Sequence, residues 1–232
     1  MPAATMYFGG MRASTAPLRS SLLVLGVGGL GNALLERCAR LPLRLLTLVD
    51  GDRVEPHNLE RQPLFTPVDL GRPKVAVAAA WLRQAMPGTV IDVVDAFADA
   101  ASLPELVKEH SIVVDCTDDV HARALIDQVC AERSIPLVSG AVHVREGQVL
   151  LLHAHDGAGD PSMTREQVFS GRPGPGQDEC DMRNVPLEVL EAVGARLQQR
   201  VGDLMAGRPV ENGALELYAG GRWTRYAPPT PN

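Results

Sequence analysis

The sequence predicts an α/β fold, a mostly parallel sheet covered by helices. Three observations predict it. Short apolar runs of strand length alternate with segments of helical periodicity from residue 22 to residue 142. A glycine run, "GVGGLG", joins the first apolar run to the first helical segment. Acidic residues close the apolar runs that end near Asp50 and Asp118, which puts polar groups on the sheet edge where open parallel sheets hold ligands.

Taken in order, residues 22–25 form a short buried strand, and 33–41 a helix whose small leading residues permit close approach to the sheet. Residues 44–50, "RLLTLVD", form a second strand. The Ala-rich stretch 75–86 is a helix stopped by Pro87 and Gly88. Residues 89–97 are strand, 103–110 a helix with Pro104 in its first turn, and 111–118 a strand. Residues 120–134 are helix and 136–142 strand. The pattern then changes. Residues 146–157 read as an alternating or edge strand, and 157–180, rich in Gly and Pro, as a long loop. Residues 186–207 are helical with Gly207 as stop, and 214–227 form a hairpin around Gly220 and Gly221.

The bulk numbers restrict the function class. The chain has 232 residues, 45% hydrophobic and 22% charged, as expected of an ordinary globular protein with a full core. Its net charge of −6 and lack of a basic run argue against a nucleic-acid partner. No apolar run reaches membrane-spanning length and no signal peptide is evident, so a reducing cytoplasm is expected. The four cysteines form no C-x-x-C pair, so no zinc clamp is predicted. Cys38, Cys116 and Cys130 read as small buried hydrophobes.

The chemistry begins at Gly26, Gly28, Gly29 and Gly31, which follow a strand and open a helix. Such a turn lets backbone N–H groups meet an anion beside a helix N-terminus. Asp50 lies about 20 positions beyond Gly31, where a ribose-binding carboxylate belongs. The following stretch carries Asp52, Asn58, Arg61 and Gln62, and then Lys74. A dinucleotide needs the ribose carboxylate but no such Arg and Lys. Those two cations suit a triphosphate whose charge must be offset when its α-phosphorus is attacked. In "VVDCTDD", Asp118 is positioned to hold magnesium against that triphosphate, while one of Asp118 and Asp119 caps the next helix.

Five segments, "VLGVGGLGN", "LVDGDRVEPHNLERQPLF", "GRPKVAVAAAWL", "VVDCTDDVHARALI" and "PLVSGAVHVREGQV", resemble the ordered motifs of the ThiF/MoeB/HesA family of ubiquitin-activating-like adenylyltransferases. The resemblance runs from about residue 22 to 152 and continues more weakly to Gly207. It implies a Rossmann-like, mostly parallel sheet with helices on both faces, extended by antiparallel C-terminal strands. It implies Mg-ATP-dependent adenylation of the C-terminal glycine carboxylate of a ubiquitin-like β-grasp sulfur carrier ending in Gly-Gly. By the same resemblance Gly26, Gly28 and Gly31 form the nucleotide loop, Asp50 binds the ribose, Asn58 and Arg61 lie near the phosphates, Lys74 meets the triphosphate and Asp118 the magnesium. A homodimer and a separate sulfur-donor protein are implied partners. Residues 1–20 are then an N-terminal arm, 21–228 the adenylation domain with a mobile crossover loop over 157–185, and 229–232 a disordered tail.

Three departures stand beside the resemblance. The zinc-binding cysteine pairs of many relatives are missing. So is their N-terminal arginine motif, for which Arg12 and Arg19 are the candidates, with a plain surface role as the competing reading. Cys180 matches a loop cysteine of the family in its spacing to Gly207, and readings with and without a catalytic role for it both stand. Arg183 favours its thiolate, and Glu179 and Asp181 oppose it. Competing functions are adenylation of a small or tRNA-linked carboxylate, a non-catalytic scaffold of the same fold, and, weakest, an NAD-dependent oxidoreductase. Pyrophosphate exchange separates the first from the last two.

Overall fold

The computed structural model describes residues 21–155, 157–169 and 184–228. Its first strand, β1 (Ser21–Leu25), is buried along its whole length, which is why it reads as an unbroken apolar run. It pairs in parallel with β2 (Leu45–Val49) on one side and β4 (Ile112–Asp115) on the other. β3 (Val90–Val94) lies outside β2 as the edge strand, and β5 (Leu137–His143) lies beyond β4. The chain then turns back on itself, and β6 (Glu146–Leu152), β7 (Leu215–Ala219) and β8 (Arg222–Tyr226) add antiparallel strands. The sheet order is β3-β2-β1-β4-β5-β6-β7-β8. The expected mostly parallel sheet with an antiparallel C-terminal extension is therefore present.

Helices cover both faces. One core cluster holds the apolar sides of α1 (Gly29–Cys38), α2 (Lys74–Ala85) and α6 (Leu187–Met205). A second, on the opposite face, holds those of α3 (Leu103–Lys108) and α4 (Val120–Arg133). Val189, Leu190, Val193, Leu197, Val201 and Leu204 recur at helical spacing and bury one stripe of α6. Gly194 lets α6 press on α1, since a Cβ there would fall 2.7 Å from that of Ala33. Cys38, Cys116 and Cys130 are buried and unpaired, and burial pushes the Cys38 thiol up to about 12.

Three local expectations change. The alternating or edge strand expected over 146–157 is β6, an interior strand that pairs with β5 and β7 and is buried over its second half, so it neither alternates nor forms an edge. The first helix starts at Gly29 rather than Ala33. Glycine is a poor helix former, but the side chain of Asn32 donates to the carbonyls of Val27 and Gly28 and winds the turn into the helix. The expected loop from 157 onward contains a short helix, α5 (Arg165–Phe169), with Val168 buried. The Gly220-Gly221 hairpin is present, with both glycines at positive φ as a two-residue turn requires.

Candidate functional site

β1, β2 and β4 end on one cleft with a cavity volume of about 1140 Å³. Gly26 leaves β1 with φ +91°, and a Cβ there would stand 2.9 Å from the backbone carbonyl of Cys116. Conformation and space both demand glycine. Asp50 is 7% exposed and holds the turn from below. Its Oδ2 accepts from the Val27 amide at 2.6 Å and its Oδ1 from the Asp52 amide at 2.8 Å. Burial pushes the Asp50 carboxyl up, against those two amides and Lys74, which favour the charged form.

The next wall comes from the turn Pro56–Asn58 and the residues after it. Asn58 is buried, and its Oδ1 accepts from the Glu55 amide at 2.9 Å. Its carbonyl accepts from the amides of Arg61 and Gln62, so the turn brings both side chains to the cleft. Lys74 opens α2, is nearly buried, and places Nζ 2.7 Å from Asp52 Oδ2. The third wall is the loop after β4. Asp119 caps α4, accepting from the Ala122 amide at 2.9 Å, and that hydrogen bond holds its carboxyl below the usual range. Asp118 makes no cap and lies exposed on the cleft. Of the two aspartates, Asp119 is therefore the cap.

The ThiF family profile matches residues 7–222. The chain belongs to the ThiF family. It is 40% identical over 138 residues to a molybdopterin-synthase adenylyltransferase of Escherichia coli, a stretch covering 60% of this chain and 55% of that protein. It is 30% identical over 193 residues to a sulfur carrier protein adenylyltransferase of Thermus thermophilus, covering 83% of this chain and 69% of that protein. It is 38% identical to the SAMP-activating enzyme E1 of Haloferax volcanii over 58% of this chain and 50% of that one. The chain thus spans about half the length of several curated relatives it matches. Crystal structures of E. coli MccB with succinimide (TM-score 0.72, 18% identity) and of PaaA (TM-score 0.71, 21% identity) share the fold over 90% of this chain and 63–64% of theirs.

Within this ThiF-family chain, most residues singled out by sequence converge on the cleft: Gly26, Gly28, Gly29, Asp50, Asp52, Asn58, Arg61, Gln62, Lys74 and Asp118 all line it. A Cβ on Gly28 would meet nothing within 4 Å, so this glycine faces open space. Gly31 does not line the cleft. A Cβ there would lie 2.2 Å from the Gly26 carbonyl oxygen, so it serves the packing of α1 on the turn. Asp52 is occupied by Lys74, and the Gln62 Oε1 is buried without a hydrogen-bond partner among the described residues. Arg12, Arg19, Cys180 and Arg183 lie outside the described residues.

A magnesium ion carried by a nucleotide fits this donor set. Among the described residues no group of three or more His, Cys, Asp or Glu forms a cage for a metal. One exposed carboxylate on the cleft that also holds Arg61 and Lys74 suits a nucleotide-borne magnesium, which takes few ligands from protein. Sequence reading missed several contributors. Asn32 is fully buried, and its Oδ1 accepts from the Leu64 amide, tying the glycine turn to the wall that carries Arg61. Its one signal is a polar residue in the helix's apolar start. Phe97 is 70% exposed at the cleft mouth, its ring against Gly51, where a Cβ would fall 2.8 Å away. His57 and His121 also line the cleft and carry no spacing signal.

Proposed function

We propose that this chain is a Mg-ATP-dependent adenylyltransferase that acts on the C-terminal glycine carboxylate of a ubiquitin-like β-grasp sulfur carrier and releases pyrophosphate. The carrier's sulfur then serves cofactor or metabolite biosynthesis. One observation carries the reading: Arg61, Lys74 and Asp118 face the same cleft as the Gly26–Gly28 turn and Asp50. A redox dinucleotide would not need two cations and a further carboxylate there. The names of the adenylyltransferase relatives support the same class.

The roles follow from position. The turn amides and the α1 N-terminus receive phosphate oxygens. Asp50 accepts from ribose hydroxyls with the lone pairs that Val27 and Asp52 leave over. Phe97, with Val49, Leu103 and Ile126, offers an apolar wall for the base. Arg61 and Lys74 supply positive charge where it builds up on the phosphates. A carboxylate oxygen of the carrier attacks the α-phosphorus, the bond to the bridging oxygen breaks, and pyrophosphate leaves with the electron pair. The carboxylate is already a competent nucleophile, so no general base is required. Bound magnesium, facing Asp118, would offset further phosphate charge.

Cys180, if it takes part, acts after adenylation by accepting the activated acyl group. The reading takes the working unit as a cytoplasmic homodimer with a separate sulfur-donor protein. The test is ATP–pyrophosphate exchange with labelled pyrophosphate and candidate carriers ending in Gly-Gly. Carrier-dependent exchange is expected. Exchange driven by small carboxylates instead would move the substrate class, and NAD binding without any exchange would overturn the reading.

A further inference from the structure

Asp115, the last residue of β4, has a buried carboxylate whose two oxygens are fully engaged. Its Oδ1 accepts from the Thr117 amide at 2.9 Å and the Thr117 hydroxyl at 2.7 Å. Its Oδ2 accepts from the Ser139 hydroxyl at 2.7 Å and from Arg123 Nη1 at 3.3 Å. Arg123, 8% exposed in the first turn of α4, also donates Nη1 to Ser139 Oγ at 3.3 Å and Nη2 to the Thr117 carbonyl. Thr117 is therefore held at its amide, its hydroxyl and its carbonyl. The carbonyl belongs to the peptide plane that ends at the Asp118 Cα, so holding it fixes where that Cα lies. On the other side Asp119 is fixed as the α4 cap.

A second arginine reaches the same point from α5. Arg165 donates Nη1 to Ser139 Oγ at 3.0 Å and its amide to Asp127 Oδ2 at 2.9 Å. Asp127 Oδ1 in turn stands 2.8 Å from Nε2 of buried His153. The Ser139 hydroxyl thus gives its one proton to Asp115 and accepts from both arginines, which uses its whole hydrogen-bonding capacity. Of the side chains in this network only Thr117 lines the cleft.

We propose that Arg123 is a positioning residue for Asp118, and that Ser139 and Arg165 complete a buried clamp holding the 116–119 loop at the cleft edge. This rests on the reading of Asp118 as the carboxylate facing nucleotide-borne magnesium. The clamp acts through the Thr117 peptide and touches no substrate. Its contribution is to keep Asp118 in one place, so that magnesium contact costs no ordering of the loop.

Equilibrium ATP binding, titrated with and without Mg²⁺, tests this in Arg123→Met, Arg123→Lys and Ser139→Ala, alongside thermal melting. Arg123→Met is expected to raise the Mg²⁺ concentration for half-maximal ATP binding by ~10-fold, with magnesium-free binding within about two-fold of the parent. Arg123→Lys, which keeps the charge and one donor direction, should restore part of the shift. A purely structural arginine would lower the melting temperature and leave the magnesium dependence unmoved, and that result overturns the clamp. Equal losses with and without Mg²⁺ overturn it too. If Arg123→Met does not fold, Ser139→Ala is judged by the same shift, expected smaller but in the same direction. A magnesium shift in a protein that shows no exchange with any carrier overturns the adenylation reading and leaves the clamp standing. Exchange without the shift does the reverse.

Discussion

Lys74 Nζ sits 2.7 Å from Asp52 Oδ2, so the cation expected to face a triphosphate already has a carboxylate partner. Lys74 is almost buried while Asp52 is half exposed. The lysine is therefore the partner that cannot move, and Asp52 the one that can yield. Lys74→Met should reduce pyrophosphate exchange by ~100-fold or more, because it removes one of the two cations that face the phosphates in this reading and Arg61 alone leaves part of their charge unmatched. Asp52→Asn should do the opposite to ATP affinity and tighten it by about three-fold, since an incoming phosphate no longer competes with Asp52. Weaker ATP binding in Asp52→Asn would show that Asp52 contacts the nucleotide itself.

With Asp50 as the proposed ribose acceptor, nucleotide binding should be sensitive to acid. Its carboxyl lies above the ordinary aspartate value of 3.8 because it is buried. The charged form accepts ribose hydroxyls, so affinity should fall as pH drops through this raised pKa, at a higher pH than for an exposed aspartate. ATP titrations at falling pH, run on the parent and on Asp50→Asn in parallel so that protonation of the nucleotide itself cancels, should show the extra loss in the parent. Asp50→Asn should bind weakly throughout and lack that extra loss. The same acid dependence in both proteins would rule out the carboxylate as the acceptor.

The two adjacent aspartates should respond differently. Asp118→Ala should abolish exchange while leaving the melting temperature close to that of the parent, because Asp118 makes no cap. Asp119→Asn keeps a capping oxygen. It should retain exchange within about three-fold, as an asparagine cap is nearly equivalent. Reversed effects would exchange their roles.

The glycines of the turn also divide. Gly26→Ala combines positive φ with a clash against the Cys116 backbone and should cost at least ~1–2 kcal/mol of stability. Gly28→Ala meets no protein atom within 4 Å. Its penalty should appear in ATP affinity, with little change in melting. Denaturant unfolding beside ATP titration of both variants separates these effects.

Cys180→Ala should leave pyrophosphate exchange intact, because adenylation precedes any transfer to a thiol. A covalent carrier adduct, if the parent forms one, should vanish from the intact mass. Loss of exchange in this variant would place the cysteine in the adenylation step itself.

The sequence by itself determined the parallel sheet and the candidate residues Gly26, Asp50, Arg61, Lys74 and Asp118, and through the family resemblance it carries, the antiparallel extension. The residues are legible because Gly26, Asp50 and Asp118 follow strand ends, Arg61 lies in a turn and Lys74 starts a helix, places where local spacing and backbone chemistry restrict the residue type. Only the tertiary structure decided that Gly31 packs under the turn rather than facing the cleft, because the atom it must avoid, the Gly26 carbonyl, is identified by the fold of the turn. It alone paired Asp52 with Lys74, joined Asn32 to Leu64, and gathered Asp115, Arg123, Ser139 and Arg165 around one hydroxyl. Helical spacing places Arg123 on the same face as Ile126 and Cys130 but names no partner for its charge. Its partners come from strand and loop positions up to 16 residues away, and a buried polar network is specified by which groups meet in space, which no periodicity records.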